Sequence, residues 1–263
     1  MKNDSIDHGR EFDWGNTSGD YAKYRDIYPN EFYQRIAGLG LCVSGQKILD
    51  LGTGTGVLPR NMYHYGADWT GTDISEKQIA EAVRMANDTG MKIRFLTAPA
   101  EKTGLPDHSF DVITACQCFF YFDREKIFPE ITRLLKPDGR LLILYMSWLP
   151  FESKIARASE DLVLKYNPSW TGANFKRFEP KVPDSASDCF DCLHCLAYDL
   201  DIPFTRESWN GRIVACRGIG ASSLPQVKID AFKKEHLAYL QTVPEHFAIP
   251  HYVTMLDFKV KTD

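Results

Sequence analysis

Between Asp50 and Gly56 the chain reads Asp50-Leu51-Gly52-Thr53-Gly54-Thr55-Gly56. Glycines at alternate positions let the backbone turn sharply and approach a ligand closely. A helix starting directly after such a loop aims unpaired N–H groups at the same spot, which suits an anionic or polar group. A second carboxylate, Asp73, ends the short apolar segment from Trp69. At the tip of a strand beside a glycine loop, a carboxylate can accept hydrogen bonds from both hydroxyls of a ribose. The spacing is aspartate followed by G-x-G-x-G, not G-x-G-x-x-G, and no Lys-Ser or Lys-Thr follows, which excludes a Walker phosphate loop. A tight turn without a ligand is the plainer alternative, and the strand–loop–helix setting argues against it.

The elements that must carry these residues follow from periodicity and stop signals. Lys47 to Leu51 reads as a first strand, and Val57 to about Tyr65 as a helix stopped by Gly66. Trp69 to Asp73 is a second strand. Ser75 is a good N-cap for a helix over Glu76 to Asn87. Lys92–Leu96 and Phe110–Ala115 are the third and fourth strands. Asp123 caps a helix running to about Lys136 and stopped at Pro137-Asp138-Gly139, and Arg140–Met146 is a fifth strand. Strands alternating with helices imply an α/β fold, a doubly wound and mostly parallel sheet with helices on both faces. Ligand then binds outside the carboxyl ends of the strands.

After Ser147 the rhythm changes. A helix over Glu152 to Lys165 leads into a stretch, Asn167 to Ser187, that bears prolines and a glycine. Cys192–Ile202 reads as a sixth strand, Leu224–Leu240 as a helix marked by Val227, Phe232 and Leu237, and Tyr252–Val260 as a final strand. An N-terminal helix presents Tyr21, Tyr24 and Tyr28 on nearly one face, with Arg25 beside Tyr21.

The chain has 263 residues, 44% hydrophobic and 25% charged, which excludes disorder, collagen and coiled coil as whole-chain readings. Its formal charge is −4 with no basic run, so a nucleic-acid partner is not expected. The longest apolar stretches, such as Leu141 to Met146, are too short to span a bilayer. Residues 1–15 lack the apolar region of a secretory signal, and a cytoplasmic location is expected. Seven cysteines, an odd count, fit reduced thiols.

Four segments together give the chain a family resemblance. They are Ile48–Gly56, Gly71-Thr72-Asp73-Ile74-Ser75, Ala100–Asp111 and Leu134–Leu141. Over about residues 47 to 147 the chain resembles the class I S-adenosylmethionine-dependent methyltransferases. Within them it resembles the large small-molecule group that includes the ubiquinone- and trans-aconitate-type enzymes. The resemblance implies a Rossmann-like, seven-stranded sheet whose last strand is antiparallel, plus a helical or irregular cap. It implies S-adenosylmethionine as cofactor, S-adenosylhomocysteine as product and a small molecule as methyl acceptor. It gives roles by position. Asp50 precedes the loop, and Gly52, Thr53, Gly54 and Gly56 cradle the amino acid end of the cofactor. Asp73 holds the ribose hydroxyls, Ile74 packs on adenine, and Gln78 edges the same pocket. Where relatives carry an aspartate after the third strand this chain has Pro99, so adenine is read by the Ala100 backbone, by Glu101, or by neither. Cys116 and Gln117, after the fourth strand, lie near the methyl group.

Because a sulfonium methyl is already activated, no catalytic triad is required, and sequence names no base. For the acceptor, Tyr21 and Arg25 are candidates on an N-terminal lid, and Trp148 and Trp170 on a cap, with Phe175 as a further apolar surface. Packing is the competing reading for each. Arg206, Arg212 and Arg217 near Trp209 either grip an acidic acceptor or form a solvated helix face with structural ion pairs, the second being preferred. His251 is read as structural. Asn167-Pro168-Ser169-Trp170 is read as a turn and not as the N-P-P-Y segment of adenine methyltransferases. Cys189, Cys192 and Cys195, with His194, have the spacing of a metal site, but alternate faces of a strand separate Cys192 from the other two, so no metal is expected.

The resulting organisation is residues 1–46 as an N-terminal helical lid, 47–147 as the S-adenosylmethionine-binding core, 148–190 as an inserted cap, and 191–263 as the rest of the same sheet. A nicotinamide-dependent oxidoreductase and a non-catalytic cofactor-binding module are the rival functions. Oligomeric state is not readable.

Overall fold

The structure is a computed structural model that describes residues 6–181, 186 and 188–261. The side chain of Tyr21 and residues 182–185 and 187 of the expected cap lie outside the described residues. Seven strands form one sheet in the order β3-β2-β1-β4-β5-β7-β6. They are β1 (Lys47–Leu51), β2 (Asp68–Asp73), β3 (Arg94–Thr97), β4 (Phe110–Cys116), β5 (Leu135–Trp148), β6 (Phe190–Thr205) and β7 (His246–Val260). The sheet is mostly parallel, with the last strand antiparallel. Strand β1 pairs in parallel with β2 on one side and β4 on the other, so strand order reverses beside β1. That reversal opens a crevice at the carboxyl end of β1, where the glycine loop begins.

The helices follow the expected caps. Helix α1 is Ser18–Tyr24, α2 is Asn30–Gly38, and α3 (Val57–Met62) continues as a 3-10 turn to Tyr65, closed by Gly66 at φ 85°. Helix α4 (Glu76–Asp88) starts at Ser75, whose hydroxyl accepts from the Gln78 amide, and α5 (Arg124–Leu134) starts at Asp123, which accepts from the Glu125 amide. Helices α6 (Lys154–Tyr166), α7 (Arg206–Val214) and α8 (Gln226–Leu240) complete the regular elements used below.

Three expectations need correction. Helix α5 ends at Leu134, and Pro137-Asp138-Gly139 lies inside β5. Phe110 faces Leu135 but Val112 faces Arg140, so residues 136–139 bulge out of the ladder and take up the turn chemistry that sequence assigns to a helix stop. Helix α1 ends at Tyr24, which leaves Tyr28 off it. Pro29 follows Tyr28 and disfavours helical backbone there. On α8 the buried residues are Ile229, Phe232, His236 and Leu240, while Val227 and Leu237 are exposed. The buried set keeps the helical period that Val227 and Leu237 miss.

The chain packs as two compact units, each drawn from three separated stretches. One contains Tyr28–Met146, Glu179–Tyr198 and Val253–Asp263; its core joins Leu49, Ile113, Ile131, Leu141 and Phe258, all buried. The other contains Met1–Ile27, Ser147–Phe178 and Asp199–Tyr252, with Trp148, Trp209, Ile213 and Phe232 among its buried side chains. Sequence reading divides the chain into four consecutive segments, whereas β5, β6 and β7 each contribute residues to both units. No helix among the described residues is long and apolar enough to cross a membrane.

Candidate functional site

In the first unit, the turn after β1 places Gly52, Gly54 and Gly56 at φ 60°, 57° and 74°, the left-handed region that glycine enters without strain. A Cβ on Gly52 would lie 2.8 Å from the Cys118 Cβ, and one on Gly56 would lie 2.7 Å from the Phe95 ring. Both glycines are therefore fixed by close approach as well as by conformation. The Thr53 amide donates to the Thr72 carbonyl (2.8 Å), and the Gly54 amide donates to Asp73 Oδ2 (2.9 Å). Asp73 Oδ1 accepts from the Ser75 amide at 2.8 Å. Burial raises the Asp73 pKa, opposed by the backbone amides of Ser75, Gly54 and Ile74.

Asp50 sits beneath the loop, 2% exposed, and accepts from the Thr114 hydroxyl at 2.6 Å. Burial pushes its pKa up to about 6. The hydroxyls of Thr55 and Thr72 are buried around the same turn with no hydrogen-bond partner among the described residues. Ile74, next to Asp73, is 57% exposed, an apolar side chain left open beside that carboxylate. Gln78 is buried in the first turn of α4.

Of the remaining predicted cofactor residues, Ala100 is buried, and Glu101 Oε1 accepts from the Asp123 amide at 2.9 Å, which ties it to the start of α5. At the end of β4 the Cys116 thiol donates to the Tyr28 hydroxyl at 3.6 Å. Gln117 takes a positive φ of 65°, and its amide group donates to the Met146 carbonyl at 2.5 Å. Sequence reasoning missed Cys118, whose thiol donates to the Leu51 carbonyl at 3.0 Å and whose Cβ crowds Gly52. It also missed Phe95. Neither has a sequence signature, because each acts by filling space across the sheet.

The acceptor candidates lie in the second unit. The Arg25 guanidinium lies 5.5 Å over the Trp14 ring. Trp148 and Trp170 are buried with ring centroids 6.5 Å apart, and Trp148 makes an edge contact with Trp209 at 5.7 Å. Trp148 Nε1 donates to Glu160 Oε1 at 2.6 Å. Phe175 packs against Phe178 and Tyr252. The solvated arginine face is overturned: Arg212 is 5% exposed and Trp209 fully buried, because α7 lies in the interior of its unit. Arg206 holds the Val243 carbonyl and Gln241, and Arg217 pairs with Asp7 at 2.9 Å, so both are structural.

Cys192 and Cys195 are exposed on β6, their thiols donating to the carbonyls of His194 and Pro180. His194 instead meets Asp257 at 2.8 Å, a buried carboxylate also held by Arg140. Among the described residues no three histidine, cysteine or acidic side chains are grouped to hold a metal.

A glycine loop and a paired carboxylate at the switch point of a seven-stranded sheet define a Rossmann-like fold. Residues 49–143 match the family described as a methyltransferase domain. It is 39% identical over 114 residues to a demethylmenaquinone methyltransferase of Thermus thermophilus, covering 42% of this chain and 52% of that one. It is 28% identical over 171 residues to a ubiquinone biosynthesis O-methyltransferase of Pseudomonas putida, covering 63% and 71%. The chain thus spans about half the length of the first of these relatives. In fold it is similar to the YcgJ protein of Bacillus subtilis, with a TM-score of 0.52, 20% identity, and coverage of 89% of this chain and all of that one.

Proposed function

We propose that the chain binds S-adenosylmethionine and transfers its methyl group to a small-molecule acceptor. The observation that carries this reading is the Asp73 carboxylate. It is oriented by the Gly54 and Ser75 amides and stands beside the exposed Ile74, at the tip of β2 within the methyltransferase domain. Its remaining acceptor capacity fits a ribose hydroxyl, and Ile74 offers a flat base an apolar surface. Gly52, Thr53, Gly54 and Gly56 would hold the amino acid end, with Asp50 fixing the turn from below. Gln78, Ala100 and Glu101 would border the base. Cys116 and Gln117 would border the sulfur.

When bound, S-adenosylmethionine supplies an activated methyl group. The work left to the chain is to orient the acceptor, exclude water and receive any proton the acceptor loses. The menaquinone and ubiquinone relatives support a small organic acceptor over a macromolecule. The test is calorimetric titration of the purified chain with S-adenosylhomocysteine, NADH and NADPH. Binding of S-adenosylhomocysteine alone is the expected result; preferential binding of a nicotinamide cofactor would replace this reading with a dehydrogenase.

A further inference from the structure

Gly52, Gly54 and Gly56 all stand in the left-handed region, and a run of such glycines is permissive by itself. Its shape has to be imposed from outside. The Cys118 Cβ crowds Gly52, and Asp73 holds the Gly54 amide. The restraint on Gly56 comes from Phe95 on β3. A Cβ on Gly56 would stand 2.7 Å from the Phe95 Cζ and 3.0 Å from its Cε1. Another edge of the same ring covers Gly71 on β2, where a Cβ would stand 2.9 Å from the Phe95 Cδ1.

Gly71 is what lets the ring lie there. It sits inside a strand, between Thr70 and Thr72, where a glycine weakens the strand and marks a close approach. Phe95 is its partner in the parallel ladder. Thr53 shares the same bare face, since a Cβ on Gly71 would also stand 2.8 Å from the Thr53 hydroxyl oxygen. The Thr53 amide donates to the Thr72 carbonyl at 2.8 Å. The loop therefore lies down on β2 where β2 has no side chain, and the half-buried Phe95 ring runs from that contact to the last glycine of the loop. Ala82 on α4 is the next neighbour of the Gly56 position, at 3.5 Å.

We propose that Phe95 is a positioning residue for the cofactor: its ring ties the last glycine of the loop to the strand that ends in Asp73. It thereby sets the gap between the loop assigned to the amino acid end and the carboxylate assigned to the ribose. Phe95 acts through Gly56 and Gly71, not on the cofactor itself. A gap of fixed width takes a ligand of matching length with little left to order on binding. That S-adenosylmethionine is the ligand rests on the methyltransferase reading; the hold of the ring on the loop does not.

Phe95→Leu keeps a carbon over Gly71 and removes the Cε1 and Cζ atoms that reach Gly56. Calorimetry on the full chain compares S-adenosylhomocysteine with methylthioadenosine, which has the base, ribose and sulfur but no amino acid end. In Phe95→Leu the affinity for S-adenosylhomocysteine should fall about tenfold, and that for methylthioadenosine should stay within about threefold. Phe95→Met is long enough to reach Gly56 again and should recover most of the loss. Phe258→Leu makes the same change in the core of the same unit, on β7, and should lose urea stability with both affinities kept. Unchanged S-adenosylhomocysteine affinity in Phe95→Leu, an equal loss for both ligands, or an equal loss in Phe258→Leu overturns the proposal. If methylthioadenosine binds wild type too weakly to measure, the comparison of Phe95→Leu with Phe258→Leu decides. If Phe95→Leu does not fold by circular dichroism, Phe95→Ile stops short of Gly56 in the same way and takes its place. Wild type that fails to bind S-adenosylhomocysteine overturns the cofactor reading. The hold on the loop is then read from amide hydrogen exchange at Gly54 and Gly56, which should quicken in Phe95→Leu and not in Phe258→Leu; unchanged exchange overturns it.

Discussion

The Gly54 amide donates to the Asp73 carboxylate across 2.9 Å, joining the middle glycine of the loop after β1 to the last residue of β2. The Ser75 amide holds the other carboxylate oxygen at 2.8 Å. One side chain therefore sets the loop, the tip of β2 and the start of α4 in mutual register. Because a carboxylate offers about four acceptor positions and the Gly54, Ser75 and Ile74 amides face it, the clamp leaves room for a ligand hydroxyl. Orientation is built in before any ligand arrives, and little reorganisation is left for binding.

Asp73→Ala removes the clamp and the proposed ribose acceptors together. Hydrogen bonds to a charged group contribute about 1.5–3 kcal/mol each. Affinity for S-adenosylhomocysteine should fall at least tenfold in calorimetry, with the circular dichroism spectrum retained. Unchanged affinity would remove Asp73 from the site.

Gly52→Ala should be damaging for two separable reasons. At φ 60° an alanine is strained, and its Cβ would stand 2.8 Å from the Cys118 Cβ. Cys118→Gly removes the clash but not the strain. The double variant should therefore recover part, and not all, of the urea stability lost in Gly52→Ala. Full recovery would mean that the backbone conformation costs nothing there.

Asp50 gives a pH signature. Burial raises its pKa from 3.8 to about 6, so the folded chain holds this proton more tightly than the unfolded one. Between about pH 4 and 6 the native state binds the extra proton, and stability falls as pH rises through that window, then levels off. Asp50→Asn keeps an acceptor for the Thr114 hydroxyl and has no such titration. The stability of wild type relative to Asp50→Asn should drop by roughly 2 kcal/mol from pH 4 to pH 7. Urea melts across that range check the sign; a flat difference would show that Asp50 is not held out of water.

Local signals made the glycine-loop half of the chain legible. Ser75, Asp123 and Gly66 stand where a cap or stop is needed. Pro137-Asp138-Gly139 misled because the same residues suit a helix stop and a β-bulge, and only pairing with β4 decides between them. The second unit was less legible. Its pieces come from both ends and the middle of the chain, so Arg212 looks solvated on its own helix and becomes buried only when Trp148 and Trp209 pack around it. No local pattern reports such burial.

Trp148 tests the packing of that second unit. Its Nε1 donates at 2.6 Å to Glu160, a carboxylate 1% exposed whose other oxygen accepts from the Asn174 amide at 2.8 Å. Burial already raises the Glu160 pKa, and the Trp148 and Asn174 donors oppose the rise. Trp148→Phe keeps an aromatic ring against Trp209 and deletes one donor to a buried charge. The loss should be about 1–3 kcal/mol at neutral pH. It should shrink as pH falls through the range where Glu160 takes up a proton, because a neutral carboxyl needs the donor less. In a Glu160→Gln background the same substitution should cost less than in wild type and show no pH dependence, the coupling being read from a double-mutant cycle. Cofactor affinity should stay within about threefold throughout, since Trp148 belongs to the other unit. A pH-independent loss, equal in both backgrounds, would mean that Trp148 acts through its ring alone and that Glu160 is held by its other partners.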